Sequence, residues 1–147
     1  MPGEYRFCEE VISTTLEDSN LLANIYFSNY AKWLGKIRDN YFCSFIPEYF
    51  KNSDSAKEML CLDCKIDYLA EAMPFDKILV RMCVDRAYEF GLDLYFEYFL
   101  TKDLEIIRKL GYATQRVLFV AWEGGVPMPI RIPQEVMGLI KKVVSKR

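Results

Sequence analysis

The chain is predicted to be an α+β protein, an antiparallel sheet packed around one long helix, with a short second helix at the end. Three observations predict this. Apolar residues recur at helical spacing between about residues 25 and 42, and from residue 60 the period changes to two. The alternating segments are separated by turn residues at hairpin spacing. Helical spacing returns only after a proline-rich stretch near the end. Antiparallel strands around one central helix make an α+β domain.

Taken in order, Tyr5 to Thr14 holds enough aromatic and β-branched residues for a first strand, and a polar loop runs on through Asn20. A helix is expected from Ile25 to Phe42. At about 100° per residue from Phe27, the positions Tyr30, Ala31, Leu34, Tyr41 and Phe42 fall within roughly 60° of it. Ser28, Lys32, Lys36 and Asp39 lie on the opposite side. Ser44 to Ser55, with Pro47 and the aromatics Phe45, Tyr49 and Phe50, reads as a short helix and a loop. Leu60, Leu62, Cys64, Ile66 and Tyr68 then alternate with Cys61, Asp63, Lys65 and Asp67. Ala72-Met73-Pro74-Phe75-Asp76 interrupts this, and Ile78, Val80, Met82 and Val84 alternate with Lys77, Arg81 and Asp85. Gly91 marks a turn before Leu94, Phe96, Tyr98 and Leu100, and Lys102-Asp103 marks the next. Glu105 to Trp122 gives the last strand, with Gly111 read as a bulge; Gly124-Gly125, Pro127, Pro129 and Pro133 are expected to end the sheet. Pro133 to Val144 reads as a helix with proline at its start.

The 147 residues suit one domain, 1–147, with no repeat or low-complexity segment. With 52% hydrophobic and 15% aromatic residues the composition is that of a globular protein rather than a disordered one. A net charge of −2 with scattered Lys and Arg excludes a nucleic-acid footprint. Lys141, Lys142, Lys146 and Arg147 read as a solvated helix end. No secretory segment and no apolar run of about 18 residues is seen, so no membrane association and a cytoplasmic protein are expected. Five cysteines, an odd number, suit reduced thiols. The absence of histidine removes Ser-His-Asp and Cys-His catalysis and any imidazole base.

Arg38 falls about 20° from Phe27 on the same wheel, within the apolar face. A guanidinium there must snorkel, pair with a carboxylate or face a polar cavity. Tyr30, eight residues earlier, is either core or a neighbour of Arg38 on one pocket. Asn20 precedes the helix, where asparagine commonly caps or turns the chain. The first helical amides, near Tyr26 and Phe27, lack intrahelical acceptors and carry partial positive charge. Two features are set aside. Cys61-Leu62-Asp63-Cys64 lies in a strand pattern that points its sulfurs to opposite faces, so no metal site is expected. Gly124-Gly125 is a turn and not a phosphate loop.

The order Asp18-x-Asn20, Asn24-Ile25-Tyr26, Asn29-Tyr30, Trp33, Arg38 resembles the signature of hot-dog-fold thioesterases of the 4-hydroxybenzoyl-CoA thioesterase type, and the likeness extends over nearly the whole chain. That family usually has a second Asp where this chain has Asn20, and Gly where it has Ala23. Those departures are shared by the thioesterases of enediyne polyketide synthases, which also carry an Arg at the position of Arg38. The resemblance implies a hot-dog fold, a curved sheet wrapping the helix, and hydrolysis of a polyketide acyl thioester on an acyl carrier protein, with decarboxylation of a β-keto acid to follow. It implies Asn20, Arg38 and Tyr30 as catalytic residues, Asp18, Tyr26 and Phe27 as substrate-binding residues, no cofactor, and assembly as a homodimer or homotetramer. An amide at position 20 cannot be a nucleophile or useful base; it can orient water or hold the thioester carbonyl. Two other readings are an acyl-CoA thioesterase using Asp18 or Glu17 as base, and a non-catalytic acyl-binding protein of the same fold. Phe27, Tyr30, Trp33, Tyr41, Phe42 and Phe45 either line an acyl tunnel or form ordinary core.

Overall fold

A computed structural model describes residues 8–45 and 57–143; the expected short helix and loop before Ser55, apart from the end of the long helix, lie outside these residues, as do Tyr5 to Phe7 and the tip of the basic end. Strand β1 (Cys8–Ser13) leads through a short 3-10 turn into α1 (Ser28–Phe45). Then come β2 (Lys57–Tyr68), β3 (Lys77–Ala87), β4 (Gly91–Lys102), β5 (Glu105–Glu123), β6 (Val126–Pro129) and α2 (Gln134–Val143). The strands form one six-stranded antiparallel sheet in the order β1-β3-β4-β5-β2, with β6 beside β5.

β6 overturns the expectation that the glycines and prolines end the sheet. Gly124 and Gly125 take positive φ angles of 56° and 80°, which reverses the chain tightly and pairs Val126–Pro129 with Val120–Glu123. The prolines are tolerated because β6 lies at an edge, where a missing N–H breaks no ladder on its outer side.

The core lies between α1 and one face of the sheet. Ile78, Val80, Met82 and Val84 of β3, Leu92, Leu94, Phe96 and Tyr98 of β4, and Ala113, Val117 and Phe119 of β5 are buried there. Val136 and Ile140 of α2 join the same core. The buried stripe of α1 is Tyr30, Trp33, Leu34, Ile37 and Phe42. It is not centred on Phe27, because the helix begins at Ser28; Phe27 stands outside it, 59% exposed, and Ala31 is exposed as well. Arg38 then falls about 70° from the middle of the stripe, at its margin.

Among the described residues β2 pairs with β5 alone, and its other side has no strand partner. Its register slips between Cys61, opposite Val117, and Asp63, opposite Arg116, so that Cys64 faces Gln115. In an unbroken strand two sulfurs three residues apart would point to opposite faces. The extra residue resets the alternation, and both Cys61 and Cys64 follow the inward-facing row of β5. The expected opposition of the two thiols is therefore corrected. Another slip lies beside Gly111, which pairs with Tyr98 while Lys109 pairs with Phe99, making Leu110 the extra residue. Gly111 is required for a different reason: a Cβ on it would meet the Asp67 carbonyl oxygen at 2.5 Å.

Candidate active site

The polar loop is tied to the start of α1 by backbone bonds. The Asp18 carboxylate accepts from Thr15 N at 2.8 Å and from Thr15 Oγ1 at 3.4 Å, while the Asp18 carbonyl accepts from Tyr26 N and Asn29 Nδ2, each at 2.8 Å. Asp18 thus shapes the turn with its side chain and anchors the helix start with its backbone. The Asn20 backbone N–H donates to Asn24 O at 2.9 Å, and its side-chain Oδ1 accepts from Leu22 N at 2.8 Å. Ala23 sits at φ 61°, in the left-handed region that glycine occupies without strain.

The Tyr26 N–H, expected to be open, is committed to Asp18 O. Phe27 N has no backbone acceptor among the described residues, and Asn29 and Tyr30 donate back to Tyr26 and Phe27 carbonyls at 3.0 and 3.2 Å. The Tyr26 and Phe27 rings, 43% and 59% exposed and 4.6 Å apart, face outward rather than into the core. Leu21 and Leu22 are exposed beside them, and with Ser19, Asn20 and Tyr26 they line an open recess of about 570 Å³.

Tyr30 is buried in an aromatic cluster, its ring 5.0 Å from Trp33, 5.1 Å from Tyr68 and 5.0 Å from Tyr98. The Tyr98 hydroxyl donates to Tyr30 O at 2.7 Å, and the Tyr68 hydroxyl to Phe27 O at 2.9 Å. Burial, followed by the neighbouring Tyr68, Glu71 and Asp76, pushes the Tyr30 phenol up to about 12. It is therefore a neutral hydroxyl near neutral pH and can donate a hydrogen bond but not serve as a base.

Arg38 extends from the margin of the apolar stripe, its side chain 14% exposed. Nη1 donates to Gln115 Oε1 at 3.1 Å and Nε to Asp39 Oδ1 at 3.0 Å. With Asp39, Cys43, Lys57, Glu58, Met59 and Trp122 it lines a cavity of about 450 Å³. Burial raises the Cys64 thiol first, the nearby Cys61 and Asp63 add to this, and the Arg38 charge opposes it. Gln115 is the residue that sequence reasoning passed over. Its signal was there: the row Gly111, Ala113, Gln115, Val117, Phe119 places one amide in an apolar, inward-facing register, and Gln115 is 7% exposed.

Among the described residues Asn20 and Arg38 line different cavities, and Tyr30 is packed in the aromatic cluster between them. Asn20 lies in the recess at the head of α1, Tyr30 packs against Tyr68 at one end of β2, and Arg38 lies two turns further along, where Gln115 faces Cys64. They mark a seam between α1 and the open edge strand. Tyr68, Cys64 and Cys61 leave that seam exposed on the strand side.

No protein-family model matches the chain, and no curated protein matches it in sequence. Its structure is similar to solved structures at low identity. Against the dynemicin thioesterase, whose crystal structures reveal induced-fit and allosteric effects on polyene binding, the TM-score is 0.89 at 22% identity, over 97% of this chain and all of that one (100%). An aspartate-to-asparagine variant of 4-hydroxybenzoyl-CoA thioesterase in complex with 4-hydroxybenzoyl-CoA gives 0.83 at 16% identity, over 92% of this chain and 99% of that one. The 1,4-dihydroxy-2-naphthoyl-CoA thioesterase from Synechocystis gives 0.77 at 15% identity, over 94% and 98%. The chain has the hot-dog fold, and its structure is similar both to a thioesterase of an enediyne and to those of the 4-hydroxybenzoyl-CoA type.

Proposed function

We propose that the protein is a thioesterase that hydrolyses a polyketide acyl thioester carried on an acyl carrier protein, with a β-keto acid product free to lose carbon dioxide. The observation that carries this reading is the Arg38 guanidinium, held by Gln115 at the edge of an otherwise apolar helix face and beside an open seam. A thioester carbonyl entering the seam meets fixed donors, while the carboxylates that line the Arg38 cavity already have partners, Asp39 in Arg38 and Glu58 in the Trp122 indole N–H. Asp18, the carboxylate of the loop motif, is bound to Thr15 and stands as a turn former. Because Asn20, Tyr30 and Arg38 stand apart within one chain, this reading completes the site across the contact between two subunits, where Asn20 orients the attacking water or holds the carbonyl, Arg38 stabilises the negative charge that develops on oxygen, and Tyr30 donates from its hydroxyl. Asp18, Tyr26 and Phe27 form the entrance that receives the acyl–pantetheine arm.

Each preorganised donor to an oxyanion is worth about 3–4 kcal/mol, or 10²–10³ in kcat. Thioesters lack strong resonance stabilisation, so donors and an oriented water suffice without a strong base. The exposed Leu62 and Tyr68 of β2 and Leu69 just after it, beside an edge with no strand partner among the described residues, support a homodimer built on that edge, with further assembly into a tetramer. No helix among the described residues is long and apolar enough to cross a membrane.

The test follows thiol release from matched acyl-carrier-protein and acyl-CoA thioesters. Turnover that favours the carrier protein, lost by about 10²-fold or more in Arg38→Ala and Asn20→Ala, is the expected result. Preference for acyl-CoA would favour the small-molecule reading instead. Saturable acyl binding without thiol release would show a binding protein.

A further inference from the structure

We propose that Gln115 is the positioning residue of Arg38, fixing its guanidinium through a neutral acceptor that adds no opposing charge of its own; this rests on the thioesterase reading above. Four features of the chain carry the inference.

Gln115 occupies an inward-facing position of β5 whose neighbours in the row are Gly111, Ala113, Val117 and Phe119. A buried amide there is costly unless it is hydrogen-bonded, so the register is a poor place for glutamine on packing grounds alone. Its Oε1 is 3.1 Å from Arg38 Nη1, a bond across 77 residues of sequence that ties the helix to the sheet. The other acceptor on Arg38 is Asp39, whose side chain is 58% exposed; a pair so open to water holds an arginine loosely. Gln115, buried and attached to a central strand, is the firmer anchor.

The chemistry of the acceptor is the fourth feature. A glutamate at position 115 could accept the same bond, but it would place a negative charge against the guanidinium and cancel the field Arg38 presents to substrate. A neutral amide oxygen fixes the direction of the guanidinium without a second negative charge, so that beside the water-screened Asp39 the guanidinium still presents positive charge to the oxyanion that forms when water attacks. Nη2 makes none of the bonds described above, so a second edge of the guanidinium remains for that oxygen.

The test is steady-state hydrolysis by the full-length protein on one acyl thioester, comparing Arg38→Ala, Gln115→Met, Gln115→Glu and the double variant Arg38→Ala/Gln115→Met. Gln115→Met keeps the shape and removes the acceptor; Gln115→Glu keeps the acceptor and adds the charge. Both are expected to lower kcat by about 10–100-fold with KM changed less than about threefold, while far-UV circular dichroism stays that of the parent. In the Arg38→Ala background, Gln115→Met is expected to cost less than about twofold more, since nothing is left to position. If Arg38→Ala retains full activity, the thioesterase mechanism itself fails. If Arg38→Ala is inactive but both Gln115 variants keep parental kcat, the positioning role is overturned and the mechanism stands. A Gln115→Met loss of equal size with and without Arg38 also overturns it, as an effect on packing alone. Should Gln115→Met not fold, parental kcat in the near-isosteric Gln115→Glu overturns the charge argument by itself.

Discussion

Replacing Gly111 with alanine tests whether the wall of the seam is as tight as the backbone indicates. The added Cβ would sit 2.5 Å from Asp67 O, with the Asp67 carbonyl carbon at 3.6 Å and Tyr68 Cα at 3.7 Å. Ordinary contact begins near 3.4 Å, so the oxygen must retreat by 3.4 − 2.5, about 0.9 Å. Every atom in the way belongs to the backbone of β2, so no side-chain rotation relieves the clash. Overpacking of this kind costs about 1–3 kcal/mol, and stretching a ladder hydrogen bond adds about 1 kcal/mol. The expected loss is about 2–3 kcal/mol, or roughly 6–12 °C in Tm for a chain of this size. Urea unfolding followed by circular dichroism should show a lower midpoint at unchanged slope. Gly35 is the control, since a Cβ there meets nothing within 4 Å; in the middle of α1, Gly35→Ala should stabilise by about 0.5–1 kcal/mol. A Gly111→Ala loss below about 0.5 kcal/mol, in the range of ordinary surface substitutions, would refute the reasoning.

Three further outcomes are expected. Tyr98→Phe removes the buried hydroxyl that donates to Tyr30 O at 2.7 Å and should cost about 1 kcal/mol in urea unfolding; no loss would mean that the bond is replaced. Ala23→Gly relieves a residue at φ 61° and should raise stability by up to about 1 kcal/mol, whereas a loss would show that the loop is not strained. The kcat–pH profile should carry no limb centred near pH 7, because the chain has no histidine and the Tyr30 phenol is raised to about 12. The same shift has a sign for stability. A folded-state value above the ordinary 10 contributes fully below pH 10 and is lost as pH climbs from 10 towards 12, so unfolding titrations should weaken on the alkaline side.

The fold was largely legible because periodicity is a local property. β3 and β4 alternate cleanly, and the Asp103-Leu104 reversal joins β4 to β5 where a turn was expected. What escaped was non-local. The wheel took Phe27 as its origin because the sequence does not mark Ser28 as the start of α1, and the error moved Arg38 from the margin to the middle of the stripe. The slip at Leu62 is set by pairing with β5, so alternation counted along β2 alone assigned Cys61 and Cys64 to opposite faces. β6 escaped because the prolines read as a stop, although at an edge they are compatible with pairing. The site divides in the same way. The loop motif and Arg38 stand in one contiguous stretch, but the acceptor that orients Arg38 lies 77 residues away and is identified by its register.

That division bears on how a chain with neither histidine nor a motif carboxylate free of the loop turn can work on a thioester. A general base acts through one side chain, whose reach to the proton and whose pKa decide its effect. Catalysis by fixed donors is different, because a donor that swings away from the developing charge contributes little. Arg38 leaves α1 at the margin of the buried stripe and is held from a strand far off in sequence, while Asn20 is held by a loop whose bonds run to Leu22 and Asn24. In the proposed thioesterase mechanism the rigidity of the helix–sheet contact thus takes the place of a tuned pKa. Substitutions that loosen α1 against β5 should therefore reduce kcat well before they unfold the protein. A set of core variants such as Ile37→Val and Val117→Ala, in which kcat fell only in proportion to the unfolded fraction, would contradict this view.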